Sequence, residues 1–357
     1  MTPVRWALWG CGGMAQAFVT DLLATEGNVV HSVASRTPER ARQFASSLKD
    51  AKVHASLDSL LDDPGVDIVY VSTPPTSHFN DSLAVLSAGK GLLCEKPLAL
   101  NSEQARIIVD AARRQKVFCM EAMWMLCIPA VREAQRLIYD GAIGVPHFLT
   151  ANFSYLERGD RLARLADPQQ GGGALLDRGV YPLHLAAALC GPAAVAGAVL
   201  RTHGATESQF SCLLQHDSGV QSQLVASFLA TGSNSAEITG EAGVLQLQTP
   251  FYKAQRLTIS PRRGIPGVDI EMVTAPDFNR SSTLRRAGRR LKPWLNSLRT
   301  RAHVVRFPGN GYQFEILEAA DCIRKGRTES SIVPLQRTLD VMTLVDGVRS
   351  AAAQRVP

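Results

Sequence analysis

Lys96 stands between Glu95 and Pro97, directly after the apolar run Gly91-Leu92-Leu93-Cys94, and two later residues could work with it. Asp177 and Tyr181 are spaced i, i+4, which puts them on one face of a helix. A free tyrosine has a pKa of about 10 and is a poor base at neutral pH. A nearby lysine charge favours the phenolate and lowers that pKa. Lys96 and Tyr181 can therefore act as one unit that takes a proton from a carbinol oxygen or gives one to a carbonyl. Two assignments stay open. Tyr181 is the acid/base and Lys96 the polariser, or Lys96 transfers the proton and Asp177 orients it or binds a substrate hydroxyl. The plain alternatives are a surface lysine and a core tyrosine. The strand end before Lys96 and the triple glycine Gly171-Gly172-Gly173 before Asp177 argue against both. Trp124 suits a substrate-pocket wall or the core. His184, one turn beyond Tyr181, reads as a structural histidine outside the catalytic set.

Gly10-Cys11-Gly12-Gly13-Met14-Ala15 matches G-x-G-x-x-A between a strand and a helix. In a dinucleotide site Gly10 makes the tight turn and Gly12 lets the backbone approach the pyrophosphate at the helix N-terminus. Ala15 allows close helix–strand packing, and Gly13 and Met14 complete the loop. At the end of the second strand an acid would bind the ribose hydroxyls of NAD, but this chain has Ser35-Arg36-Thr37. Arg36 can stack on adenine and pair with a 2′-phosphate, with Arg40 assisting, so NADP is favoured and NAD remains open. The loop Ser72-Thr73-Pro74-Pro75-Thr76-Ser77-His78 borders the same crevice. Thr73 and Pro74 are expected along the cofactor. His78 is read either as a cofactor contact or as a local hydrogen-bonding residue. Glu95, Lys96 and Pro97 complete the cofactor-facing set.

Alternating elements must hold these residues. Strands are expected at 4–9, 29–35, 67–72, 91–95 and 117–121, and helices at 15–25, 38–48, 80–88 and 102–115, the last opened by a Ser102 cap. That order implies right-handed βαβ crossovers and a parallel sheet. After residue 122 come helices at 129–139 and 173–189, then hairpins at 210–228 and 236–247, and terminal helices at 313–324 and 335–352. The expected fold is an α/β Rossmann domain, 1–122, and an α+β domain with a large, mostly antiparallel open-faced sheet, 123–357. The C-terminal helix is available to pack back on the first domain.

The chain of 357 residues, 45% hydrophobic and 20% charged, has material for two globular domains. No apolar run reaches the roughly 18–20 residues of a membrane span, and the N-terminus does not read as a secretory signal. Seven cysteines without a CxxC pair indicate neither a disulfide framework nor a metal site, which suits the cytoplasm. The net charge of +6 is concentrated in an acid-free basic segment, 279–303, read as a solvated insertion. It shows no interleaved pattern of aromatics, so nucleic-acid binding is not expected.

Glu95-Lys96-Pro97 after such a sheet resembles the signature of the glucose–fructose oxidoreductase and inositol dehydrogenase family. Glu121-Ala122-Met123-Trp124 with Pro129, the run 171–182, and Gly309-x-Gly311 with Glu315 resemble the branch of dimeric dihydrodiol dehydrogenases and NADP-linked xylose dehydrogenases. The resemblance implies a cis bond before Pro97 that aims Lys96 at the nicotinamide. It implies proton transfer by a tyrosine or histidine at position 181 and substrate contacts from Trp124, Asp177 and Tyr181. It also implies an NADP-dependent oxidoreductase acting on a sugar, keto-sugar or trans-dihydrodiol. A nucleotide-linked deoxysugar ketoreductase and an NADP-sensing protein without turnover are the rivals. A homodimer or tetramer through the open sheet face is expected. Three departures stand out: Met125-Leu126-Cys127-Ile128 replaces a polar and aromatic stretch, so a polar or cationic substrate contact is expected to be lost there, Arg178 replaces an apolar residue, and the basic segment 279–303 is an insertion.

Overall fold

The computed structural model describes residues 2–261 and 301–354, so most of the basic segment 279–303 lies outside the described residues. Six strands form a parallel sheet in the order β3-β2-β1-β4-β5-β6. They are β1 (Val4–Trp9), β2 (Asn28–Ala34), β3 (Lys52–His54), β4 (Ile68–Val71), β5 (Gly91–Glu95) and β6 (Cys119–Ala122). Every residue of β4, β5 and β6 is buried, as expected of strands covered on both faces by helices. The connecting helices are α1 (Gly13–Leu23), α2 (Pro38–Ala45), α3 (Leu57–Leu61), α4 (Pro75–Ser87) and α5 (Ser102–Gln115). The order reverses at β1 and β4, so the loops after Trp9 and Val71 open a crevice at the carboxyl edge.

Three details depart from the sequence expectation. β3 is an additional edge strand. It has three residues and two exposed side chains, too short and polar to show as an apolar run. α4 begins at Pro75 rather than residue 80, because a proline in the first turn loses no helical hydrogen bond. The cap of α5 is Asn101, not Ser102: the Asn101 side chain accepts from Gln104 N at 2.9 Å.

After α6 (Pro129–Tyr139) comes an eight-stranded sheet in the order β14-β13-β12-β11-β7-β10-β9-β8. It comprises β7 (Pro146–Ser154), β8 (Ala193–His203), β9 (Thr206–His216), β10 (Gln221–Ser227), β11 (Ala236–Gly240), β12 (Gly243–Leu247), β13 (Arg256–Pro261) and β14 (Arg301–Val304). Its pairs are antiparallel except β7 with β10. A short helix, α7 (Gly159–Leu165), follows β7, and α8 (Val180–Cys190), α9 (Gln313–Arg324) and α10 (Leu335–Ala353) complete the chain. Phe148, Val199 and Leu213 stand exposed on the sheet.

The expected single helix over 173–189 is two pieces. A π-helical turn, Leu175–Gly179, leads into α8. Gly179 packs so closely on Phe210 that a Cβ there would come within 2.5 Å of the ring. π turns inside helices often mark functional sites, and this one carries Asp177. α10 returns to the first sheet. Asp346 accepts from Ser102 N at 2.9 Å, Arg349 donates to Leu100 O at 3.0 Å, and Thr338 donates to Glu121 at 2.8 Å.

Candidate active site

The strand β5 delivers Lys96 to the crevice, and the bond to Pro97 is cis. The Lys96 ammonium donates to Asp177 Oδ1 at 3.1 Å and to the Asp177 carbonyl at 2.7 Å. Its Nζ lies 5.2 Å from the centre of the Tyr181 ring. Tyr181 Oη accepts from Trp124 Nε1 at 3.1 Å, which leaves the phenol proton available to a substrate oxygen. The structure thus brings Lys96, Asp177, Tyr181 and Trp124 together, although Asp177 lies on the π turn and Tyr181 on the helix after it. Trp124, Tyr181, Phe153, Tyr252 and Tyr312 form one aromatic wall, with Phe153 and Tyr252 stacked at 4.3 Å.

Burial pushes the Asp177 carboxyl up, but the charges of Lys96, Arg178 and Arg164 and the Lys96 hydrogen bond outweigh it and hold it below its ordinary value. Tyr181 behaves differently from the sequence expectation. Burial first, then the negative charges of Glu95, Asp177 and Glu315, push its phenol well above the usual tyrosine range. The lysine does not reverse this, because its ammonium is directed to Asp177 rather than to the phenol oxygen. The resting site therefore holds Tyr181 as an acid.

Beneath Lys96, Glu95 accepts from Tyr70 Oη at 2.5 Å and from Lys96 N at 3.2 Å. Glu95 is buried, and burial raises its pKa. Glu121 accepts from Leu98 N at 3.1 Å and lies 3.0 Å from His184 Nε2. His184 is wholly buried in that contact, in keeping with a structural histidine. His78 is also buried: its Nδ1 lies 2.7 Å from Pro97 O and its Nε2 2.8 Å from Thr73 O. It links the Lys96–Pro97 turn to the Thr73–Pro74 loop. The Thr73 hydroxyl donates to Asp81 at 2.6 Å, and Pro74 precedes the first turn of α4.

The glycine loop has the shape a dinucleotide requires. Gly10 has φ +108°, and a Cβ there would lie 2.8 Å from Ser72 Oγ. Around Gly12 and Gly13 a Cβ would meet nothing within 4 Å, so the N-terminus of α1 is open to an approaching pyrophosphate. Ala15 is buried against the sheet, and Met14 is partly exposed beside the opening. Ser35 is buried at the end of β2 and accepts from Thr37 N at 3.3 Å. Arg36 and Arg40 are exposed, and neither has an ion-pair partner among the described residues.

Met125, Leu126, Cys127 and Ile128 are 0–5% exposed and pack in the core. Arg178 is explained by its surroundings. It is 4% exposed, donates to the carbonyls of Tyr155 and Ser227 at 2.7 Å, pairs with Glu157, and lies 4.6 Å over the Phe228 ring. Glu315, quoted in the sequence only as part of a motif, is wholly buried, and neither carboxyl oxygen has a hydrogen-bond partner among the described residues. Burial, with Glu95 and Asp21 nearby, raises its pKa well above the ordinary carboxyl range.

Residues 4–123 match the family model described as "Oxidoreductase family, NAD-binding Rossmann fold", and residues 131–246 match the GFO/IDH/MocA C-terminal domain. The chain is 30% identical over 352 residues to the trans-1,2-dihydrobenzene-1,2-diol dehydrogenase of Oryctolagus cuniculus, covering 97% of this chain and 98% of that one. It is 28% identical to a D-xylose 1-dehydrogenase (NADP(+)) of Hypocrea jecorina, covering 96% and 90%. Among solved structures, a 3-ketoreductase of Actinomadura kijaniata in complex with NADP and TDP-benzene superposes with a TM-score of 0.79 at 25% identity, over 98% of both chains. A levoglucosan dehydrogenase, at 20% identity and TM-score 0.82, shares the fold over 99% of this chain and 98% of that one.

Proposed function

The chain belongs to the GFO/IDH/MocA oxidoreductase family, and from that premise we propose that it moves a hydride between NADP and a secondary alcohol or ketone of a small polyhydroxylated ring. The observation that carries this reading is Lys96, held by Asp177 against the Tyr181 ring at the carboxyl edge of the sheet that presents the open Gly12–Gly13 turn. Bound NADP would supply the hydride donor or acceptor. Gly10, Gly12, Gly13, Thr73 and Pro74 would hold it, with Arg36 and Arg40 at its 2′-phosphate.

In reduction, the protonated Tyr181 gives its proton to the carbonyl oxygen while the Lys96 ammonium stabilises the charge developing there. In oxidation the same two residues act in reverse. Asp177 fixes the Lys96 ammonium and Trp124 fixes the phenol oxygen, so neither has to reorganise during the reaction. The named activities of the relatives support a carbinol or carbonyl substrate. The likeness to the 3-ketoreductase supports a second reading, reduction of a nucleotide-linked deoxysugar ketone.

The exposed Phe148, Val199 and Leu213 support a homodimer or tetramer through the open sheet face. All seven cysteines are free, which supports a cytoplasmic setting, and no described helix is long and apolar enough to cross a membrane. The test is a screen of sugars, keto-sugars and dihydrodiols by NADPH absorbance, run beside Arg36→Asp. The wild type is expected to favour NADPH, and Arg36→Asp to lower the NADPH-to-NADH selectivity by about 10-fold or more. Equal or better turnover with NADH in the wild type overturns the cofactor assignment. Cofactor binding without turnover of any ring substrate overturns the enzyme reading.

A further inference from the structure

We propose that α7 carries an anion subsite at the mouth of the cleft, so that the substrate ring bears a carboxylate or phosphate away from its reacting carbon. The inference rests on the oxidoreductase reading above and narrows its substrate class. α7 is an unusual element, because none of its residues is buried. Its apolar contacts are limited to the half-buried Leu162 and Leu165, so its ends do much to hold it. Arg161 and Arg164 are three residues apart on it, and Arg158 precedes its first turn.

Both ends of α7 are fastened to the catalytic turn. At the start, Arg161 Nε donates to Glu157 Oε2 at 2.8 Å, and Glu157 also holds Arg178, whose Nε lies 3.8 Å from Asp177 Oδ2. At the end, Leu165 O accepts from Gly173 N at 2.8 Å, and Gly173 O accepts from Asp177 N at 2.9 Å. The segment after α7 reaches the cofactor side, where Thr76 donates to Gln169 O at 3.1 Å. The helix is thereby fixed close to the Lys96–Asp177 pair, between the aromatic wall and the loop that borders the cofactor crevice.

Its arginines are placed to act on that site. The charge of Arg164 reaches Asp177, and that of Arg161 reaches Tyr252 on the aromatic wall. Arg158 and Arg164 have no ion-pair partner among the described residues, and the nearby Asp167 carboxylate is engaged by Gln169 N at 2.9 Å and Gln170 Nε2 at 2.7 Å. Arginine presents a planar fork of donors that matches carboxylate and phosphate oxygens. A neutral sugar would leave that fork without a matching partner.

The experiment measures affinities of the NADP-loaded protein for D-glucose, D-glucuronate, D-glucose 1-phosphate and UDP-glucose by calorimetry at low and raised salt. It is repeated with the double variant Arg158→Gln/Arg164→Gln, with thermal melting to confirm folding. At least one anion is expected to bind about 10-fold or more tighter than glucose, with the advantage shrinking in salt and in the variant. The glucuronate and phosphate arms identify which anion the site takes. If no anion outbinds glucose, or the variant keeps the preference, the subsite is refuted. The oxidoreductase reading survives that result, since it fails separately, through absence of NADPH turnover.

Discussion

Replacing Tyr181 by phenylalanine separates the two ways of assigning the proton. The change deletes one oxygen, whose neighbour is Trp124 Nε1 at 3.1 Å, and leaves the ring that faces Lys96 in place. If Tyr181 transfers the proton, kcat falls by about 10²–10⁴-fold, the usual contribution of a positioned acid or base. That is about 3–5 kcal/mol of transition-state stabilisation at 1.36 kcal/mol per decade. Trp124 is 4% exposed and would lose the acceptor of its indole N–H, so unfolding should become easier by about 1–3 kcal/mol. The pH profile gives a second readout. Because the Tyr181 pKa is raised well above its ordinary value of 10.0, the acid form persists through neutral pH. Reduction by the wild type should therefore show no loss from this group near neutrality, while oxidation, which needs the phenolate, should climb as the solution becomes alkaline. The assay is steady-state reduction and oxidation across pH, with NADPH affinity measured by fluorescence to confirm an intact cofactor site. A Tyr181→Phe enzyme within 10-fold of wild-type kcat, with the same alkaline rise in oxidation, would refute the assignment and give the proton to Lys96.

Two further substitutions examine the buried charges. Glu315→Gln should remove a pH-dependent cost. The folded pKa lies well above the ordinary 4.5, so the contribution is fully present below that value and is lost as pH rises through the folded pKa. Between them stability falls by up to about 1.4 kcal/mol per pH unit, so in urea melts the variant's advantage should widen from about pH 5 to pH 8; a constant difference refutes this. Arg178→Met should cost about 3–5 kcal/mol by urea denaturation, because it leaves the Glu157 carboxylate and the Tyr155 and Ser227 carbonyls short of a donor; a loss below about 1 kcal/mol would show that Arg161 alone satisfies Glu157.

The sequence made some of this site readable because the chemistry there is local. Gly10, Gly12 and Gly13 serve backbone shape, and their spacing between a strand and a helix is the whole signal. Lys96, Asp177 and Tyr181 stand out by residue type and neighbouring pattern, and the fold brings them together, with Lys96 and Asp177 81 residues apart in the chain. What sequence reasoning missed depends on partners distant in the chain. The π turn that carries Asp177 coincides with Gly179 packing on Phe210 and with the burial of Arg178, and neither changes the 3.6-residue pattern enough to be seen. Glu121 carries no sign that Thr338 and His184 will meet it, since Thr338 is 217 residues away. Met125–Ile128 is a buried apolar stretch, and its residue types alone do not tell a core segment from a pocket wall.

The candidate centre is enclosed on the core side by Trp124, Tyr181 and Tyr312, all less than 10% exposed, so little variation there can be made without moving the Tyr181 phenol. α7 is less constrained, because none of its residues is fully buried and its ties run through Arg161 to Glu157 and through the Leu165 carbonyl to Gly173. Arg158 and Arg164, which have no ion-pair partner among the described residues, can change the charge met by an incoming ring without breaking the Arg161–Glu157–Arg178 tie to the catalytic turn. A buried reacting centre beside a charged surface helix lets substrate choice be tuned separately from hydride chemistry, and the proposed anion subsite would place that choice in Arg158 and Arg164.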